Sequence, residues 1–163
     1  MTKTAATPTR NAPASVDAIT LLDADHKAVS ELFARFDSAN SVSGKQALVA
    51  EICAALGVHA QIEEEVFYPA VKLALKDKVM IPEAIIEHAS LKGLIATLEG
   101  IDPDGEMYDA NVKVLSEYVK HHVEEERDEL FPKVRASSID ILELGARLAA
   151  RKQELMAKAA SAA

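Results

Sequence analysis

The sequence contains one pattern twice, first as HAQIEEEVFYP at residues 59–69 and again as HVEEERDELFP at residues 122–132. Each copy has a His, a Glu four residues later and a Pro ten residues after the His, and the copies are 63 residues apart. Because side chains four residues apart lie on the same face of an α-helix, each His–Glu pair is predicted to point to one side of a helix. The repeat therefore indicates a helical unit that occurs twice.

Apolar side chains recur at steps of three and four in four segments, which is the spacing of an amphipathic helix. One His lies on each apolar stripe: His26, His59, His88 and His122. The segments SANSVSG (38–44) and GIDPDG (100–105) are rich in turn-forming residues and are predicted to connect antiparallel helices. We therefore predict an all-α fold, an antiparallel up-down four-helix bundle built from two repeated helical hairpins.

The bundle is assigned to residues 15–135, with Ser15 or Asp17 as the cap of its first helix. Pro69 and Pro132 are expected to disturb the second and fourth helices, because proline disfavours helical geometry in the residue before it.

Both ends of the chain lie outside this bundle. Residues 136–163 are predicted to form an extra C-terminal helix that is capped by Ser137 or Ser138 and ends near Lys158. Residues 1–14 have no apolar periodicity, so we expect a disordered leader there. They also lack the apolar segment of a signal peptide, which favours a cytoplasmic location.

The composition excludes several classes of partner. The chain has 163 residues and a net charge of −8. Nucleic-acid binding needs clustered Lys and Arg, and no apolar run approaches the roughly 20 residues that span a bilayer. We therefore predict neither a nucleic-acid nor a membrane partner. Cys53 is the only cysteine, so an internal disulfide is impossible.

Six polar side chains are predicted to point into the core: His26, His59, Glu63, His88, His122 and Glu126. A single core His is usually a hydrogen-bonded structural residue, but burying six such groups without partners would be costly. The midpoint between His26 and His59 falls within the first predicted turn, and that between His88 and His122 falls within the second. The four imidazoles are therefore predicted to lie in one layer across the bundle.

A layer of four imidazoles and two carboxylates is typical of a site for two metal ions, and we predict that all six side chains are metal ligands. If each carboxylate bridges, each ion receives two nitrogens and two oxygens. This mixed set suits iron, manganese or zinc better than calcium or magnesium. An iron or manganese ion that prefers six ligands would keep positions for a bridging oxygen and for a small exogenous molecule.

The chain resembles the bacterial hemerythrin-like HHE cation-binding domain family over about residues 15–135. The matching segments are Asp25-His26, 59–69, Glu87-His88 and 122–132. The resemblance implies a non-haem di-iron centre in a four-helix bundle, with manganese or zinc as other possible metals. It also implies binding of O2, NO or peroxide, for oxygen carriage, sensing, iron storage or defence against oxidative stress.

The third helix departs from the oxygen-carrying members, which have two His four residues apart there. His88 has Ala84 one turn before it and Lys92 one turn after it, so one metal lacks an imidazole. This disfavours reversible O2 carriage and favours peroxide chemistry, sensing, storage or a different metal. Tyr118, four residues before His122, is a candidate replacement ligand.

Two other functions stay open at this point. One is a peroxide-decomposing, catalase-like di-iron enzyme, and the other is a zinc-loaded or metal-free interaction module that forms a homodimer through the C-terminal helix. His121 is predicted to lie on the surface, and Tyr68 to close the core. The neighbouring acidic residues are read as a solvated face, with hydrogen bonding to the ligand imidazoles as the alternative: Glu64, Glu65, Glu124 and Glu125.

Overall fold

The computed structural model describes residues 16–162, and in that range the secondary structure is helical, with no strand. The elements are α1 (Ala18–Asp37), α2 (Val42–Ile62), the π-helical turn π1 (Glu63–Phe67), α3 (Tyr68–Leu75), α4 (Met80–Gly100), α5 (Glu106–Glu125), the π-helical turn π2 (Glu126–Leu130), α6 (Phe131–Arg135) and α7 (Ile141–Ala162). The predicted all-α bundle with an extra C-terminal helix is confirmed. The predicted leader and Ser15 lie outside the described residues. None of the helices described is both long and apolar enough to pass through a bilayer.

Each of the two prolines in the repeat follows a π-helical turn, and the helix continues beyond it. A proline cannot donate the backbone hydrogen bond of a regular helix and clashes with the preceding turn. A wider turn relieves this problem. The N–H of Tyr68 bonds to the carbonyl of Glu63, five residues earlier, and in the second hairpin the N–H of Phe131 bonds to the carbonyl of Glu126. The expected disturbance therefore widens one turn of each helix and does not end the helix.

A layer of polar side chains divides the apolar core into two clusters. On α1, α2 and α4 the buried His lies between an apolar side chain of one cluster and an apolar side chain of the other. On α1, for example, His26 lies between Leu22 and Val29. The polar layer therefore has packed apolar side chains on both sides.

The cap of α7 lies two residues after Ser138 and three after Ser137, the two predicted caps. The carboxylate of Asp140 accepts hydrogen bonds from the N–H groups of Leu142 (3.1 Å) and Glu143 (2.9 Å), so the cap is this aspartate and the prediction of a serine at 137–138 was wrong. The helix also continues about one turn beyond Lys158.

The helix α7 packs on α1 and α2 of the first hairpin. Its buried Leu144 and Leu148 belong to the same apolar cluster as Leu22, on one side of the polar layer. Gly145 allows this close approach, because a Cβ atom there would lie 2.2 Å from the carbonyl oxygen of Val16. The docking of α7 onto α1 therefore requires a residue without a side chain at this position.

Candidate metal centre

The six predicted ligand side chains are all buried, with at most 9% of each residue exposed, and they meet in the polar layer. In the first hairpin the Nε2 atoms of His26 and His59 lie 3.0 Å apart. In the second hairpin the Nε2 atoms of His88 and His122 lie 3.1 Å apart. The structure therefore brings the four imidazoles into one layer, as two facing pairs.

Both glutamates of the layer lie between these His pairs. Oε1 of Glu63 is 3.2 Å from Nε2 of His59, and Oε2 is 3.3 Å from Nε2 of His88. Glu126 has the same arrangement from the other hairpin, with its two oxygens 3.2 Å and 3.7 Å from the nearest imidazole of each pair. Each carboxylate thus presents one oxygen to each pair, which is the placement of a bridging ligand.

Three outer carboxylates each lie next to the Nδ1 atom of one imidazole: Asp25 next to His59 (3.3 Å), Glu64 next to His88 (3.1 Å) and Glu87 next to His122 (2.6 Å). Because an ionised carboxylate only accepts hydrogen bonds, Nδ1 donates to it, and Nε2 is the nitrogen that faces the layer and is left to bind a metal. For Glu64 the alternative prediction, a hydrogen bond to a ligand imidazole, is therefore the correct one. Within residues 16–162 His26 has no such partner, since the carboxylate oxygen nearest to its Nδ1 atom, on Asp23, is 3.9 Å away.

Tyr68 enters the layer, although the sequence indicated only core closure. Its hydroxyl lies 2.9 Å from Oε1 of Glu126, 3.2 Å from Oε2 of Glu63 and 3.2 Å from Nε2 of His88. Burial and the two carboxylates raise the pKa of Tyr68 well above its usual value, so without a metal the phenol keeps its proton. The repeat places Phe131 at the equivalent position. The hydroxyl that Tyr68 has and Phe131 lacks was therefore the sequence signal that could have indicated a role for Tyr68 in the layer.

The charges of the layer shift the pKa values of its members in the metal-free chain. Burial lowers the pKa of His59, but the negative charge of Glu63 and the hydrogen bond to Asp25 outweigh burial and raise it to about 10. Burial also lowers the pKa of His88, and hydrogen bonding and charge from Glu63 raise it overall. The pKa of Glu63 is raised by burial, but the imidazoles beside it hold it well below its usual value. In the metal-free chain the imidazoles and Glu63 therefore stabilise one another as opposite charges.

Among the residues that the structure describes, three buried atoms of the layer find no hydrogen-bond partner: Nδ1 of His26, Oε1 of Glu63 and Oε2 of Glu126. An unsatisfied buried acceptor costs about 1–3 kcal/mol, and more when it is charged. The two glutamate oxygens instead lie 3.2 Å from ring nitrogens, close enough for a common cation to bind both atoms.

The side chains fit two metal ions, since the possible ligand atoms form two groups that share one glutamate. The groups are His26, His59, Glu63 and Glu126, and Glu63, His88 and His122.

The other predicted participants lie outside the layer. Tyr118 is 50% exposed, so it does not replace the missing imidazole, and that prediction was wrong. His121 is on the surface as predicted, with 65% of its side chain exposed. Lys92, which stands one turn after His88, bonds to Glu64.

The chain matches the sequence profile of the hemerythrin HHE cation-binding domain over residues 17–134. It belongs to this family. As an HHE domain, it is a metal-binding helical bundle with clusters of His and Glu in its interior. The crystal structure of an HHE domain-containing protein from Mycobacterium kansasii is similar to this HHE domain, with a TM-score of 0.77 and 25% sequence identity over 90% of this chain and 91% of that chain.

A second relative is a protein from Nostoc sp. that is described as a DNA nickase. It is 30% identical to this HHE domain over 111 residues, which are 68% of this chain and 31% of that protein. The chain therefore spans less than a third of the length of this curated relative.

Proposed function

We propose that this HHE domain holds two iron ions and binds O2, NO or peroxide at a position that the protein ligands leave open. The placement of Glu63 and Glu126 is the observation that supports this proposal most directly, because each presents one oxygen to each His pair. Helix bundles with two-metal carboxylate sites use glutamates and histidines in the same way. Imidazole and carboxylate are also donor types that iron accepts, although manganese and zinc accept them too.

In this proposal the two ions have unlike ligands. His26 and His59 would hold the first ion and His88 and His122 the second, and Glu63 and Glu126 would contribute to both. The hydroxyl of Tyr68 lies within 3.4 Å of both imidazoles of the second pair, so it would complete the second set. The first ion would therefore have fewer protein ligands and more open positions than the second.

The hydroxyl of Tyr68 also favours one use of the centre over another. A bound metal lowers the pKa of a coordinating group, and a phenolate is a hard anionic donor that stabilises ferric iron. Reversible O2 carriage starts from ferrous iron, so this ligand disfavours it. Peroxide or NO defence and sensing are therefore the better-supported roles, and a peroxide-decomposing enzyme is the second candidate. The bound metals would supply the redox chemistry, and the protein would orient them and exclude water.

Two further assignments stay predictions: a cytoplasmic location and a homodimer through α7. The nickase activity of the Nostoc protein is not included, because this chain matches 31% of that protein and has a net charge of −8, which is unfavourable next to phosphates.

Metal analysis of protein expressed with added iron tests the central claim. We expect about two irons per chain and the near-ultraviolet absorption of an oxygen-bridged ferric pair, by analogy with two-metal bundle sites. Colourless protein that holds stoichiometric zinc, or protein that binds no metal, would contradict the proposal and support an interaction module.

Peroxide turnover separates the binding protein from the enzyme, and the chain offers a matched pair of variants. His122→Ala should reduce iron content or turnover, whereas His121→Ala, one residue away on the surface, should leave both unchanged. Turnover that is lost from His122→Ala while iron is retained supports catalysis. Iron binding without turnover in the unmodified protein supports sensing or storage.

A further inference from the structure

Two seams of the bundle, α2/α4 and α1/α5, lie where helices of different hairpins meet, and the repeat relates one to the other. At the α2/α4 seam, Oε1 of Glu64 lies 3.1 Å from Nδ1 of His88. The ammonium of Lys92 donates hydrogen bonds to both oxygens of the same carboxylate at 2.7 Å. An ion pair therefore covers the outer edge of His88 at this seam.

The α1/α5 seam lacks that cover. The repeat places Arg127 at the position of Glu64, and Ser30 at the position of Lys92. Nδ1 of His26 is accordingly buried without a hydrogen-bond partner. A cavity of about 730 Å³, here called the α1/α5 groove, runs along this seam, and its lining includes Ser30, Arg127 and His26. The two replacements in the repeat therefore coincide with an opening beside a predicted metal ligand.

A second, smaller cavity lies inside the bundle against the polar layer. Its volume is about 30 Å³, and we call it the inner chamber. All four imidazoles line it, together with apolar side chains that include Leu56, Leu91 and Ile95, and it is bordered at the α2/α4 seam by exposed Gly57 and Lys92. A volume of this size is about the share of one molecule in liquid water. The inner chamber therefore suits a ligand as small as O2 or NO better than an organic acid or a phosphate.

Three side chains line both cavities: His26, Val119 and Val123. They form the partition between the α1/α5 groove and the inner chamber. Val123 is half-buried, and both valines lie on α5, the helix that also carries His122. A valine in a helix strongly prefers one χ1 rotamer, so these side chains form an ordered constriction whose width depends on their size.

We infer that the α1/α5 groove is the entrance through which a two- or three-atom ligand reaches the centre, with Val119 and Val123 as the gate. This inference rests on the proposed two-metal function. The entrance lies beside His26, on the side of the first ion, which would have the fewer protein ligands. At the α2/α4 seam the Glu64–Lys92 ion pair covers the outer edge of His88, and Lys92 borders the inner chamber there.

The test measures how fast NO binds to the reduced, iron-loaded protein in a stopped-flow experiment. Ser30→Phe places a ring in the groove from an exposed position on α1 and should slow NO association by about tenfold, equal to about 1.4 kcal/mol on the entry barrier. Val123→Ala thins the partition and should speed association. Iron content should stay that of the unmodified protein in both variants.

Ser90→Phe is the matched control, with the same substitution on α4, the helix that the repeat relates to α1. Ser90 is exposed and is not among the residues that line either cavity. We expect this variant to keep the NO association rate of the unmodified protein. Normal association in Ser30→Phe, or equal slowing in both variants, would overturn the inference. Absence of iron or of any NO signal in the unmodified protein would instead overturn the proposed function.

A metal-free readout tests why the α1/α5 seam is open. Arg127→Glu restores at this seam the carboxylate that Glu64 provides at the other. The nitrogen NMR spectrum of the metal-free variant should show a new hydrogen-bonded Nδ1–H group on His26. The iron-loaded variant should then bind NO more slowly. An Nδ1 signal and an NO association rate identical to those of the unmodified protein would contradict the role given to Arg127.

Discussion

One hydroxyl group distinguishes the aromatic residues that the two halves of the repeat place against the polar layer. The ring of Phe131 stacks on His26, with centroids 5.9 Å apart and an interplanar angle of 5°. At the equivalent position of the repeat, the hydroxyl of Tyr68 reaches both Glu63 and Glu126. The halves are therefore alike in packing and unlike in the ligands that they offer a metal.

Replacing this hydroxyl gives the first prediction. Tyr68→Phe should abolish the visible absorption band that a ferric ion gives with a coordinating phenolate, and should retain most of the iron because the four imidazoles and both carboxylates remain. Absorption spectroscopy with metal analysis measures both quantities. Tyr118→Phe is the control, since that ring is half-exposed on the surface and should not affect the band. A band that survives in Tyr68→Phe would exclude this residue as a ligand.

The pKa of His59 predicts how the stability of the metal-free protein depends on pH. This pKa is raised from 6.5 to about 10 on folding. A raised pKa adds stability that is fully present below pH 6.5 and is lost as the pH rises to about 10. Urea unfolding of the metal-free protein should therefore show a lower free energy of unfolding at pH 9 than at pH 6. His59→Gln should reduce that difference and His121→Gln should keep it, whereas greater stability at pH 9 would show that the sign is wrong.

Residue spacing alone predicted the six His and Glu side chains that meet in the layer. A His or Glu on the apolar stripe of a helix requires a binding partner, whereas the same residue on the surface is bound by water. It did not assign the outer partners Asp25, Glu64 and Glu87. Acidic residues are common on exposed helix faces, and only the packing of neighbouring helices shows which of them reaches an imidazole. Tyr68 was missed for a different reason, which concerns the helix that carries it.

The π-helical turns change which side chains share a face. In an α-helix, two residues five apart are separated by about 140° around the axis. In π1, the N–H of Tyr68 bonds to the carbonyl of Glu63, so the two residues are successive around a wider turn. Their side chains then meet, with the hydroxyl 3.2 Å from Oε2. A regular helical period could not predict this contact, although the proline that follows was a signal of irregular geometry.

The cap of α1 gives a prediction for that helix. Asp17, one of the two predicted caps, accepts a hydrogen bond from the N–H of Thr20 at 3.0 Å. Asp17→Ala should lower the free energy of unfolding by about 1 kcal/mol, whereas Asp17→Asn should lose less, because asparagine caps helices about as well as aspartate. Chemical denaturation measures both values. Equal losses in the two variants would assign the effect to the charge of Asp17, which lies 3.7 Å from Arg135, and not to the cap.

The whole molecule is larger than the four-helix bundle, because α7 completes one end of the core. Its apolar face was predictable from the spacing of Leu144, Leu148 and Leu155, but spacing left open whether that face packs on the bundle or on another molecule. The structure packs it on the first hairpin. The complementary surface is assembled from side chains that are distant in sequence, so it could not be predicted from the tail alone.

Truncating one leucine of α7 tests this contribution to stability. Leu148 is fully buried, so Leu148→Ala should lower the free energy of unfolding by about 2–5 kcal/mol. Leu142→Ala, at a position that is 52% exposed, should change it by less than about 0.5 kcal/mol. Thermal and urea unfolding of the two variants make the comparison. Similar, small effects in both would mean that α7 is undocked in solution.

The docking of α7 has a consequence for the metal centre. Lys152 on α7 donates a hydrogen bond to Asp25, whose other oxygen lies 3.3 Å from Nδ1 of His59. Only two hydrogen bonds thus separate the tail of the chain from an imidazole of the centre. A molecule that lifted α7 away, or a bulky residue at Gly145, would remove the cation from Asp25 and let the imidazole turn. Displacement of α7 is accordingly expected to change metal binding at the site, and metal binding is expected to change how tightly α7 is held.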